Sequence, residues 1–171
     1  MALTYSKIAT YTVGSGGVPF VSFSNIPQTY TDLVIKISAR TIRAADEDGL
    51  YMTINGQTST GFADVEGNGG AATSVATAAY GNNWVSRING NNSTANFFSN
   101  VDIYIANYTS DLAKSMSIDG VMENNSTTSY MNLVAALGAS TSIGIRTLFF
   151  SCNANFMQHT TFHLYGVRAE I

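Results

Sequence analysis

The sequence predicts an all-β fold: a single-domain antiparallel β-sandwich of jelly-roll type with about 8–10 strands. Three observations carry that prediction. Of the 171 residues, 45% are hydrophobic but only 11% are charged, and Ser, Thr and Asn supply most of the polar share. Helices draw their surfaces from Glu, Lys, Arg and Gln, whereas Thr, Tyr, Phe, Val and Ile fit a pleated surface and Asn, Gly and Ser fit its turns. Apolar and polar residues also alternate with a period of two, the pattern of a strand buried on one face. Turn signals recur roughly every eight to twelve residues with no helical pattern between them. The length suits one domain able to bury roughly two-thirds of its unfolded surface. Residues 1–12 read as an N-terminal arm or first strand and 13–171 as the sandwich.

In chain order, Ile8 to Val13 and Val18 to Phe23 are short strands parted by Gly14-Ser15-Gly16-Gly17. Leu33-Val34-Ile35-Lys36-Ile37-Ser38 and Leu50-Tyr51-Met52-Thr53-Ile54 alternate cleanly. Ile54-Asn55-Gly56-Gln57 is the clearest hairpin signal, because Asn and Gly tolerate the positive φ of a type I′ turn. Gly67-Asn68-Gly69-Gly70 reads as a flexible loop, and Ala71 to Ala79 as an extended loop or short strand whose Thr, Ser and Val disfavour a helix. Trp84 to Ile88, the turn Asn89-Gly90-Asn91-Asn92, and Val101-Asp102-Ile103-Tyr104-Ile105 after Phe97-Phe98 continue the pattern. Met116 to Val121, the turn Glu123-Asn124-Asn125-Ser126, Ile143 to Cys152 and Thr160 to Val167 complete it.

Eight Lys+Arg against eleven Asp+Glu give a net charge of −3, and the basic residues are scattered. Nucleic-acid binding needs clustered cations and finds none here. The start Met1-Ala2-Leu3-Thr4-Tyr5-Ser6-Lys7 lacks the pattern of a secretory leader, and no apolar run is long enough to span a membrane. Asn-x-Ser/Thr triplets at Asn91, Asn92, Asn107, Asn124 and Asn125 are what chance supplies in so Asn-rich a chain. Cys152 is the only cysteine, so no intramolecular disulfide forms, and no zinc-ligand spacing occurs. No cofactor or metal is expected.

The acidic run Asp46-Glu47-Asp48-Gly49 lacks the spacing of an EF-hand loop and reads as a solvated loop. Nothing pairs the carboxylates Asp64, Glu66, Asp102 and Glu123 for glycoside hydrolysis. His159 and His163, on one strand, would stand about 13 Å apart, too far to share a metal; His163 reads as a surface-strand residue or a satisfied interface histidine. Cys152 closes an apolar run as a small buried hydrophobe. Trp84 has two readings, a core-lining ring or a sugar-stacking platform. No nucleophile elbow, phosphate loop or dinucleotide fingerprint is present. A non-enzymatic protein is expected.

Four stretches carry a resemblance: Ile26-Pro27-Gln28-Thr29-Tyr30-Thr31-Asp32-Leu33 leading into Arg40-Thr41; Leu50-Tyr51-Met52-Thr53-Ile54-Asn55-Gly56; Ile105-Ala106-Asn107-Tyr108-Thr109; and Thr161-Phe162-His163-Leu164-Tyr165-Gly166-Val167. Together they resemble a family of tailed-bacteriophage virion proteins, with His163 where the family usually has serine. The resemblance implies a jelly-roll sandwich, usually a homotrimer, with a structural or adhesive role and no catalytic residues.

Two roles follow from it. One is a capsid decoration, or cement, protein that trimerises on the outer head surface of the virion and stabilises the shell of the phage major capsid protein. The other is a tail-fibre or receptor-binding adhesin recognising host-surface carbohydrate. A chain that begins with a strand, without a fibre-attachment region, favours the first. The protein would be made in the host bacterial cytoplasm. Its candidate interface residues are Tyr5, Lys7, Arg40, Arg43, Asp46, Glu47, Asp48 and Trp84, with Met1 to about Thr12 docking on a neighbour by strand addition.

Overall fold

The computed structural model describes residues 3–57, 61–68, 74–78, 83–123, 129–137 and 143–169, with the strands inside 61–68, 74–78 and 129–137 described by their backbone pairing. The strands are β1 (Leu3–Thr12), β2 (Val18–Phe23), β3 (Asp32–Ala39), β4 (Glu47–Ile54), β5 (Gly61–Asn68), β6 (Ser74–Ala78), β7 (Trp84–Asn89), β8 (Ser99–Ile105), β9 (Ser115–Glu123), β10 (Ser129–Leu137), β11 (Leu148–Phe156) and β12 (Thr161–Ala169). No helix occurs among the described residues. The strands form an eight-stranded sheet in the order β1-β12-β3-β8-β9-β10-β5-β6 and a four-stranded sheet in the order β2-β11-β4-β7. Every strand pair is antiparallel. The two sheets pack as a sandwich compatible with the jelly-roll type.

Alternation explains the packing. In β3, Leu33, Ile35 and Ile37 turn inward, as do Val101, Ile103 and Ile105 of β8 and Phe162 and Leu164 of β12. The small sheet answers with Val21, Leu50, Met52, Ile54, Phe150 and Phe156. Phe162 sits between Phe150 and Phe156, with both ring centroids 5.2 Å away, so aromatic contacts bridge the two layers. Gly166 clears space in the same core: a Cβ there would meet the ring of Tyr30.

Several expectations need correction. Among the described residues twelve strands form instead of about 8–10, in part because β5 and β10 carry no clean alternation in sequence. The stretch Ala71 to Ala79 needs none: it contains a short strand, β6, one of the two readings expected of it. Asn55-Gly56 does form a left-handed tight turn, with φ of 51° and 74° and paired backbone bonds between Ile54 and Gln57. It joins strands of different sheets, β4 and β5, and so is no hairpin between partners. Strand β11 starts at Leu148, leaving Ile143 outside it while Ile145 is buried. His159 lies in the turn before β12 with φ 73°, not on a strand with His163. Of the two expected readings of residues 1–12, arm or first strand, Leu3 to Thr12 form the strand, paired with β12, so docking by a free arm does not follow. The turn residues Gly69, Gly70 and Asn124 to Ser126, and the triplets at Asn124 and Asn125, lie outside the described residues.

The abundance of asparagine has a backbone reason. Asn25, Asn55, Asn96 and Asn107 all take positive φ, the region in which Asn is tolerated best after Gly.

Candidate functional site

Arg40 and Lys114 show where part of the scarce charge goes. Arg40 was expected at an interface but is 3% exposed. Its Nη1 donates to the carbonyls of Thr94 (2.6 Å) and Phe97 (2.8 Å), and its Nη2 to those of Ser93 (2.9 Å) and Asn91 (3.1 Å). One guanidinium thus gathers the loop between β7 and β8, a task its planar fork suits. Burial lowers its pKa, and the Glu123 carboxylate opposes that shift. Lys114, also buried, donates to the carbonyls of Ser110 and Leu112 before β9. Nothing in the sequence marked Lys114 as a loop clamp.

The acidic run is divided as well. Asp46 is exposed, but Glu47 and Asp48 open β4, and Asp48 is 1% exposed instead of solvated. Asp48 Oδ1 accepts bonds from the Gly49 N–H (2.8 Å) and Asn153 Nδ2 (2.7 Å) and stands 3.7 Å from Arg43 Nη1. Glu47 pairs with Arg87. The structure therefore brings Arg43, Glu47 and Asp48 together on one corner of the small sheet, while Tyr5 and Lys7 lie exposed on β1 at the edge of the large one. Cys152 is half-buried; burial, reinforced by Asp48, pushes its thiol up to about 12, so it stays protonated and donates to the Ala154 carbonyl at 2.7 Å.

The stretches that carried the family resemblance are tied to one another and to residues 145–147. The Tyr108 hydroxyl donates to the Pro27 carbonyl, Gln28 Nε2 to the Ile145 carbonyl at 2.8 Å, and the Asn107 N–H to Asp32 Oδ1 at 2.7 Å. Asn55 Oδ1 accepts from the N–H groups of Arg146 and Thr147. These residues hold the fold.

Two outer faces remain. On the small sheet, register aligns Phe20 with Ser151, Ser151 with Tyr51, and Tyr51 with Trp84. At the usual strand spacing that row spans about 14 Å. Phe20 is 48% exposed and stacks on Phe149 with centroids 5.0 Å apart. Tyr51 lies over Gly49, where a Cβ would strike its ring. Trp84 is half-buried, packed partly against the core. On the large sheet a shallow cavity of about 240 Å³ is lined by Tyr5, Val34, Lys36, Asp102, Ile103, Tyr104, Ser117 and Asp119. Lys36 Nζ bonds Asp102 Oδ2 at 2.6 Å, and Tyr104 donates to Asp32 Oδ2 at 2.6 Å. That bond, with burial adding to it, holds the Tyr104 phenol up at about 12. His163, half-exposed on the same face, bonds Thr10 Oγ1 through Nδ1 at 3.0 Å. Asp64 and Glu66 lie on β5, outside the described side chains, and Glu123 ends β9 beside the Arg40 loop.

Comparison of the chain with protein-family models, with curated proteins and with solved structures finds no match.

Proposed function

We propose that the chain is a non-enzymatic structural protein of a tailed-bacteriophage virion, a capsid decoration protein that trimerises on the outer head surface and cements the major capsid protein shell. The observation that carries this reading is the aromatic face of the small sheet. A stacked Phe20–Phe149 pair half in solvent, in line with Tyr51 and Trp84, is the kind of surface that subunits bury against neighbours, since aromatics are enriched and charge depleted at interface centres. The resemblance residues support it too: they specify a shape, which is what a shell component must supply. Many copies, each with a modest contact, would bind cooperatively by avidity.

The test is light scattering on the purified chain and on Phe20→Ser. A trimer that falls to monomer in the variant supports the reading, and a monomer at every concentration tried for the unaltered chain counts against it. Addition to undecorated capsids then measures occupancy directly.

A further inference from the structure

We propose that the cavity on the outer face of the large sheet is a saccharide site, taking a neutral or amino-bearing pyranose and rejecting acidic sugars. It stands independently of the virion reading. Four neighbouring strands supply it: Tyr5 from β1, Val34 and Lys36 from β3, Asp102 and Tyr104 from β8, and Ser117 and Asp119 from β9. Tyr5 is 54% and Tyr104 37% exposed, so two large rings stand in water at one concavity. Such rings offer apolar faces to the C–H face of a sugar and hydroxyls to its rim. The Tyr104 ring is already fixed through Asp32, which lowers the ordering cost of binding.

The polar groups set the selectivity. Asp102 and Asp119 stand directly opposite in the β8–β9 register, a like-charge arrangement that is unfavourable unless something is placed between them. Lys36 answers Asp102 alone, leaving its own further N–H groups and the second Asp102 oxygen to a ligand. Asp119 has no ion-pair partner among the described residues. Acceptors therefore exceed donors, and the complement is a molecule with several O–H or N–H donors and no negative charge. A third carboxylate would be repelled. The volume of about 240 Å³ falls just below that of drug-sized sites and suits a single ring.

The experiment is a glycan array carrying neutral, amino-bearing and acidic glycans, probed with the full chain, with Asp119→Ala, with Tyr5→Ala and, as a control, with Leu112→Ser at an exposed position outside the cavity. Circular dichroism verifies that each variant is folded. The expected result is binding confined to neutral or amino-bearing glycans, reduced at least tenfold by Asp119→Ala and by Tyr5→Ala and unchanged by Leu112→Ser. No binding to any neutral or amino-bearing glycan, equal binding to acidic ones, or indifference to Asp119→Ala would overturn the assignment. Virion labelling reads the other proposal separately, so either can fail alone.

Discussion

Replacing Arg40 with alanine removes the one group that holds four carbonyls, those of Asn91, Ser93, Thr94 and Phe97. Bonds to a charged donor contribute about 1.5–3 kcal/mol each when taken singly, but the four share one guanidinium and do not add. Desolvating the buried cation offsets part of the gain, as its lowered pKa signals. Truncation leaves carbonyls without their donor at about 1–3 kcal/mol apiece, and because the four are bound by one group and do not add, the expected loss is about 3–5 kcal/mol. For a chain of this size each kcal/mol moves Tm by about 2–4 °C, so Tm should fall by about 6–20 °C. Urea unfolding followed by fluorescence of Trp84, the single tryptophan, gives the free energy directly. Arg40→Lys should recover only part of it, because one ammonium cannot reproduce the fork. A loss below about 1 kcal/mol for Arg40→Ala would refute the claim that Arg40 organises the loop.

Further outcomes follow from other contacts. Gly166→Ala drives a methyl into the Tyr30 ring and should lower stability by about 1–3 kcal/mol in the same assay. With its thiol at about 12 instead of the ordinary 9.0, Cys152 should react with a disulfide reagent at pH 8 at least about tenfold more slowly than in the urea-unfolded chain; equal rates would contradict its burial. Tyr104 and Cys152 both hold their protons more tightly folded than unfolded, against ordinary values of 10.0 and 9.0. The unfolded chain releases them first as pH rises, so their stabilisation is complete below pH 9 and declines toward pH 12. Urea unfolding across that range should show the decline, and Tyr104→Phe should flatten its upper part. Phe20→Ser should cost only the ring stack, about 0.5–1.5 kcal/mol, while abolishing self-association by light scattering.

What the sequence disclosed was what short-range chemistry determines. β3, β4, β8 and β9 are legible because inward Leu, Ile, Val and Met alternate with outward polar residues, and Asn55-Gly56 turns because both residues accept positive φ. β10 was missed because Leu133-Val134-Ala135-Ala136-Leu137 is a continuous apolar run without a period, and β5 because glycine and acidic residues obscure its Phe62 and Val65. The role of Arg40 depends on carbonyls 51 to 57 residues away, which no local pattern announces. Asp48 looked solvated beside Asp46 and Glu47, but strand alternation turns it inward to Asn153, 105 residues on. The aromatic row is the same kind of event: Phe20, Tyr51, Trp84 and Ser151 belong to four separate strands and meet only through register.

Few charges on the chain is thus partly a matter of where they are spent. Arg40 and Lys114 work inside as clamps on loops, while on the small sheet Arg43, Glu47 and Arg87 gather at one corner and the neighbouring rows carry Phe20, Ser22, Phe149, Ser151, Tyr51 and Thr53. Subunits displayed in many copies gain from such a face, because an unpaired charge buried at a contact is costly and a hydroxyl is readily satisfied.

Immunogold labelling of intact virions with an antibody to this chain tests the central claim most directly. Gold distributed over the outer surface of the head is the predicted result. Gold confined to the tail, or virions that carry none, would contradict it.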